Sequence, residues 1–403
     1  MTNPMSFDML EATRLTREGR LEEAMALIQR RTAGGSSAAN AQERPAPAPG
    51  FIDLTPPSHM TGDSWTVPNS PEGGISLPES SDMMAGLHIP AFLRSFANKL
   101  GRAINVPAAD PAPLSTTEGR FIDRSFANAA GMRTYKLYIP AAYDGQKLPL
   151  VVMLHGCTQS PDDFAAGTRM NELAAAERFF VAYPAQDQRA NSAKCWNWFN
   201  ASDQSRDQGE PSIIAGMTRE IMDEFNIDSG RVYVCGLSAG GAAAAVLGMT
   251  YPDLFSAVGV HSGLACGAAR DAMSAFAAMR QGSAGARVSV EDGMRKPAPV
   301  IVFHGDADKT VSPINGDEII AQFHGATPLK SSVTQGQSPG GTRFTRTSKT
   351  TPDGRTILEH WVLHGLGHAW SGGSEAGSYT DPNGPDASRE MIRFFFERKT
   401  TST

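Results

Sequence analysis

The chain has 403 residues, enough for two or three domains at roughly 150 residues each. Lys plus Arg total 36 and Asp plus Glu 42, a formal charge of −6, which argues against the basic face of a nucleic-acid binder. Twelve of the 27 prolines fall between Pro45 and Pro113, so the chain divides into a segment poor in core-forming residues and a remainder able to fold.

Residues 5–30 read as a helical pair. Phe7, Leu10 and Leu15 recur at helical spacing, Gly19 interrupts, and Leu21, Met25 and Ile28 resume the stripe. No similar unit follows, so no solenoid is implied. This hairpin, residues 1–31, is expected to dock on the chain or on a partner, with a granule or membrane surface as the alternative. Residues 32–118 are rich in Ala, Pro, Gly and Ser. Such a segment buries too little apolar surface to offset its ordering entropy, so a mostly disordered linker is expected, with one amphipathic island at 89–104. The N-terminus lacks a basic start followed by an apolar run, which favours a cytoplasmic address over an extracellular one. The most apolar run, residues 148–154, is far shorter than the ~20 residues of a transmembrane helix.

After Gly119 the texture changes. Residues 133–139 alternate like a half-buried strand, and 148–154 (LPLVVML) form a continuous apolar run, as in a strand covered on both faces. A helix is expected at 162–178, then a strand at 179–183, a helix at 211–225 and a strand at 231–236. An Ala-rich helix at 240–249, strands at 255–261 and 300–304, a helix at 314–323, a strand at 356–363 and a helix at 387–397 complete the series. This alternation predicts one α/β domain over residues 119–398, built on a mostly parallel sheet. In such sheets the reactive groups gather at the carboxyl ends of strands.

Gly236-Leu237-Ser238-Ala239-Gly240 matches the nucleophile-elbow pattern G-x-S-x-G, as does Gly336-Gln337-Ser338-Pro339-Gly340. Context separates them. Ser238 has an apolar strand before it, an Ala-rich helix after it, and a following residue with a free N–H. Ser338 lies in a polar loop, and Pro339 has no N–H to offer. A serine hydroxyl needs a positioned base, and in this architecture the chain order is serine, acid, histidine. Asp308 leads as the acid in HGDADKTV, with Asp306 competing. His368 leads as the base in LHGLGHAW, with His364 competing, while His324 ends a helix and His360 lies within a strand. His304 and His155 read as structural. Ala239 N–H and Cys157 N–H are the expected oxyanion donors, with Thr158 as the alternative to Cys157.

The four cysteines lack metal-ligand spacing, and no metal site is expected. Cys157 and Cys195 are candidates for a bridge closing a loop of about 40 residues, with two reduced thiols as the alternative in a reducing compartment. Cys235 reads as core. Trp196, Trp198, Phe199 and Trp370 bracket the predicted nucleophile and are candidate walls of a substrate groove, or else core aromatics.

The blocks HGCTQSPDDFAAGTRMNELAAAERFFVAYPAQ, KCWNWF, GLSAGG, HGDADKTV and GLGHAWSGG, in this order, resemble the polyhydroxybutyrate depolymerase family of α/β-hydrolase esterases over residues 119–398. The resemblance implies an α/β-hydrolase fold and hydrolysis of carboxylic esters without a metal or organic cofactor. It carries the triad onto Ser238, Asp308 and His368, and the oxyanion donors onto Cys157 and Ala239. The substrate implied is a hydroxyalkanoate polyester, its oligomers or a short-chain ester. The family also holds feruloyl and acetylxylan esterases, which supply the competing expectation. From a different class, residues 1–118 could bind a granule or partner beside an inert hydrolase domain, but the complete triad argues against inertness.

Overall fold

A computed structural model describes residues 119–283, 297–325 and 328–397 of the protein. The expected hairpin over 1–31, the linker over 32–118 with its island at 89–104, and residue 398 lie outside the described residues.

The chain enters through a hairpin of β1 (Arg120–Asn128) and β2 (Gly131–Ile139), whose tight turn places Gly131 at φ +135. Then follow β3 (Leu148–Leu154), α1 (Pro161–Thr168), α2 (Met170–Glu177) and β4 (Phe180–Pro184). After a short 3-10 turn come α3 (Gly209–Glu224), β5 (Ile227–Leu237), α4 (Ala239–Thr250), β6 (Ala257–His261) and α5 (Ala272–Gln281). The last third holds β7 (Val300–Gly305), α6 (Ile314–His324), β8 (Lys330–Gln337), β9 (Arg343–Thr350) and β10 (Thr356–Leu363). Two short strands, β11 (Trp370–Ser371) and β12 (Thr380–Asp381), precede α7 (Ala387–Phe396).

Ten strands form one sheet in the order β1-β2-β4-β3-β5-β6-β7-β10-β9-β8. The six central strands, β4 to β10 in that order, are parallel to their neighbours, and an antiparallel hairpin extends each side. Alternation along the central strands divides the core into two layers. Leu150, Val152 and Leu154 face one side with Val232, Val234, Val300 and Val302, under α3, α4 and α6. Val151 and Met153 face the other with Tyr233, Cys235, Ile301 and Phe303, under α1, α2 and α7. Covering both faces explains why β3 is apolar at every position and wholly buried.

The expected helix over 162–178 is two helices. Thr168 Oγ1 donates back to Phe164 O at 2.7 Å, and Thr168 O accepts from Ser388 Oγ at 2.6 Å, so the carbonyl that would continue the helix is taken. Arg169 then turns into the left-handed region at φ 54. Among the described residues no helix is long and apolar enough to cross a membrane.

Candidate active site

The carboxyl ends of β3, β5, β7 and β10 carry the residues expected to do chemistry. At the end of β5 the backbone of Ser238 takes φ 58 and ψ −119, a conformation that costs a non-glycine residue about 1–3 kcal/mol and persists only where its surroundings impose it. They do so here: Ser238 N donates to His261 O, and Ala242 N to Ser238 O, each at 2.9 Å. The tight passage also needs Gly240, because a Cβ there would lie 2.0 Å from Leu154 O. Ser338 sits elsewhere, in the turn between β8 and β9. Its N donates to Thr342 O, and its hydroxyl is engaged by Asn383 O and Thr342 N. It is an ordinary turn residue.

The loop leaving β3 lies against the elbow: a Cβ on Gly156 would sit 3.6 Å from Ser238 Cβ. His155 is buried and supports this loop from below. Its Nε2 accepts from Gln186 N at 3.1 Å, which puts the proton on Nδ1, and Nδ1–H donates to Gly156 O at 2.7 Å. Burial lowers its pKa to about 4, keeping the ring neutral. Thr158 N is committed to Ala193 O at 2.7 Å, whereas Cys157 N and Ala239 N donate to no other group among the described residues. Those two amides are therefore unpaired among the described residues, while that of Thr158 is not.

Cys157 and Cys195 are bridged, with an S–S distance of 2.01 Å. The bridge fastens the loop leaving β3 to the KCWNWF segment. That segment rests in turn on Glu210, which accepts from Asn197 N at 2.7 Å, Asn197 Nδ2 at 2.9 Å and the Gln186 amide, and pairs with Arg133 at 3.1 Å. Burial raises the Glu210 pKa against the pull of these partners. Cys235 and Cys266 remain free thiols in the core, where burial raises both.

The aromatic expectation needs correction. Trp196 is fully buried and spends its Nε1–H on His155 O at 3.1 Å. Trp370 is buried between Phe164 and His261 and donates to Ser388 Oγ at 3.1 Å. Both are core supports of the site, not groove walls. Trp198 is also buried, edge-on to Phe199, and Phe199 alone of the four is only partly buried. Indoles this deeply buried leave almost no ring surface for a substrate to touch.

Asp308 follows β7 and His368 follows β10, and His368 Nδ1 meets Asp308 Oδ2 at 2.7 Å. The other carboxylate oxygen accepts from Thr310 N at 2.8 Å and Val311 N at 2.9 Å. Burial acts to raise the Asp308 pKa, but His368 and these two amides outweigh it and hold the carboxyl below its usual range. His368 Nε2 has no hydrogen-bond partner among the described residues. The segment after His368 is pinned beside the elbow, since Ser371 N donates to His261 Nε2 at 3.1 Å and His261 lies at the end of β6. Burial lowers the His261 pKa to about 3, so it acts as a neutral acceptor.

The competing candidates pair with each other. His364 Nδ1 meets Asp306 Oδ2 at 2.8 Å, Gly365 N donates to Asp306 Oδ1 at 2.6 Å, and His364 Nε2 is engaged by Thr345 Oγ1 at 2.9 Å. His304 donates through Nε2 to Val311 O at 3.0 Å and shapes the Asp308 turn. One contributor carries no sequence pattern of its own: Gln159, whose side chain accepts from Gly156 N at 2.9 Å. Two of its partners, Gly156 and Asp163, are near neighbours in the chain, but the third, Ser378, is 219 positions away, so only its place beside the HGCT residues could have pointed to it.

Residues 133–343, just over half of the chain, match the family described as esterase PHB depolymerase. The chain is 32% identical over 249 residues to poly(3-hydroxyalkanoate) depolymerase C of Paucimonas lemoignei, covering 60% of this chain and 59% of that protein. It is 30% identical over 257 residues to feruloyl esterase B of Thermothelomyces thermophilus, covering 60% of this chain and 84% of that one. The acetyl xylan esterase structure from Aspergillus awamori aligns with a TM-score of 0.51 at 21% identity, over 65% of this chain and 93% of that one, which supports the fold.

Proposed function

The chain belongs to the esterase PHB depolymerase family of α/β-hydrolases, and from that premise we propose that it hydrolyses carboxylic esters through an acyl-enzyme on Ser238. The observation that carries the proposal is the 2.7 Å contact between His368 Nδ1 and a buried Asp308, presented at the same end of the sheet as a serine in a strained elbow. In this reading His368 Nε2 takes the proton as Ser238 Oγ attacks the ester carbonyl. Asp308 keeps the ring in the tautomer with Nδ1 protonated and stabilises the imidazolium. The oxyanion forms against Cys157 N–H and Ala239 N–H, each worth about 3 kcal/mol of transition-state stabilisation. The alcohol leaves with the proton from His368, and water then releases the acid by the same steps in reverse.

For the substrate, we favour hydroxyalkanoate-type polyesters, their oligomers or short-chain esters, because the depolymerase relative shares the highest of the identities given above. The chain spans 59% of that relative's length but 84% of the feruloyl esterase. That fuller coverage supports a second reading, in which feruloyl or acetyl groups on plant polysaccharide are removed. The Cys157–Cys195 bridge supports an oxidising compartment over the cytoplasm.

Wild type and Ser238→Ala are to be compared on p-nitrophenyl esters of graded acyl length, on polyester suspensions and on feruloyl esters. Activity lost in the variant and polymer clearing by wild type are expected. Equal activity in both proteins overturns the assignment, and feruloyl release without polymer clearing transfers it to the second reading.

A further inference from the structure

Gln159 is a buried side chain in the turn between the β3 loop and α1. Its amide is fully used. Oε1 accepts from Gly156 N at 2.9 Å, and Nε2 donates to Asp163 Oδ2 at 2.9 Å, Ser378 O at 3.0 Å and Ser378 Oγ at 3.3 Å. Asp163 in turn accepts from Ser378 N at 2.8 Å and Ser378 Oγ at 2.6 Å. Ser378 belongs to the segment that follows His368 and runs into β12.

The consequence for Cys157 follows from peptide geometry. In a planar trans peptide the N–H of one residue points opposite to the C=O of the residue before it. The Cys157 N–H is therefore aimed by whatever holds Gly156 O, and that oxygen accepts from His155 Nδ1 at 2.7 Å and from Gln159 N at 3.3 Å. The other end of Gly156, its N–H, is held by Gln159 Oε1. Gln159 thus grips Gly156 at both ends, through its main chain and its side chain. Gly156 has no Cβ to restrict its torsions, so without this grip the peptide could rotate.

We propose that Gln159 is a positioning residue for the oxyanion amide of Cys157, joining that amide through Asp163 and Ser378 to the chain segment that follows His368. The inference rests on the reading of Ser238 and Cys157 given above. Its chemical content is specific: Gln159 touches no reacting atom, and it fixes the direction of a donor that acts only when negative charge develops on the ester oxygen. Its loss should then act on the transition state and spare substrate binding.

The test uses Gln159→Leu, which fills the same space with no polar atoms, in the full chain. The expected result is a kcat about ten- to a hundredfold lower with KM within about twofold, a partial loss relative to removal of a whole oxyanion donor. Affinity for a boronic acid, whose tetrahedral adduct needs the same amide, should fall by the same factor. The midpoints of the pH profile of kcat/KM should stay in place, because the Asp308–His368 pair is untouched. A kcat within twofold of wild type overturns the proposal. So does a kcat loss matched by an equal rise in KM or by displaced pH midpoints, which marks a merely structural role. If Gln159→Leu fails to unfold cooperatively, Gln159→Met carries the same test with the same expectations. Ser238→Ala, run in parallel, separates the layers. Activity surviving in Ser238→Ala refutes the parent reading, whereas a dead Ser238→Ala beside a fully active Gln159→Leu refutes only the role of Gln159.

Discussion

Asp308 with His368 and Asp306 with His364 both join the turn after β7 to the loop after β10, and their Nδ1–Oδ2 distances are 2.7 and 2.8 Å. Their surroundings part them. In the first pair the side chains are 0% exposed for the acid and 12% for the histidine; in the second they are 41% and 35%. The Nε2 of His364 is taken by Thr345, whereas that of His368 has no partner among the described residues. Residue types and distance do not distinguish a catalytic dyad from a structural one. Burial of the acid and an open second nitrogen do, because only then is the imidazole both strengthened as a base and available to a serine.

The two pairs should differ most at their histidines. His368→Ala is expected to lower kcat/KM about 10⁴-fold or more, as for removal of a triad base, while His364→Ala stays within about fivefold of wild type. Stopped activity in His364→Ala would exchange the two roles. At the acids, Asp308→Asn should cost about 10⁴ in kcat by favouring the wrong tautomer, and Asp306→Asn only a few-fold by loosening the Gly365 turn. Steady-state kinetics on one soluble ester reads both.

A smaller effect comes from the opposite side of the site. Cys195→Ser leaves both pairs intact but removes the covalent tie between the loop after β3 and the segment resting on Glu210. Denaturant titration should show a loss of about 2–4 kcal/mol of stability, with kcat down about tenfold as the Cys157 amide loses its covalent support and keeps only its hydrogen-bonded one. Unchanged kcat would mean that hydrogen bonds alone hold that amide.

The smallest expected effect is in the pH dependence of stability. The Asp308 carboxyl is held below its usual range in the folded state, so its contribution is complete above the unfolded value of about 3.9 and is lost as pH falls through the folded value. Asp308→Asn should flatten the decline of unfolding free energy on the acid side. Asp306 is shifted in the same direction, burial opposing and the Gly365 amide and His364 prevailing, but it is solvent-exposed. Asp306→Asn should flatten the decline less, by solvent screening. Melting temperatures between pH 3 and 7 for the three proteins check this order.

The parts of the fold legible in the sequence are those whose burial is uniform. β3 and β10 have the expected bounds because strands inside a sheet show apolar runs or strong β-formers between turn signals. β8 and β9 escape detection, since KSSVTQGQ is exposed along nearly its whole length and its partner is only half-buried, leaving no apolar alternation to read. α5 and β1 also escape detection: α5 buries only Ala275 and Ala278, and no position of β1 is fully buried, so their apolar residues follow no clear one-sided pattern. The site shows a similar divide. Ser238, Asp308 and His368 lie in short motifs that follow strands, and the structure brings the pairs Asp308–His368 and Cys157–Cys195 together. Trp196 and Trp370 are misplaced by sequence reasoning because which way an indole points depends on partners such as His155 O and Ser388. Gln159 is illegible because nothing in the sequence shows that its amide turns back onto Gly156 N and is held there by Ser378, 219 positions away.

We propose that the Ser238 hydroxyl is the nucleophile that the Asp308–His368 pair activates. Labelling with a fluorophosphonate, followed by intact-mass measurement and peptide mapping, tests it most directly. One adduct per chain, located on Ser238 and lost in His368→Ala but retained in His364→Ala, is the predicted result. An adduct on Ser338 or another residue, or labelling indifferent to His368, would contradict it.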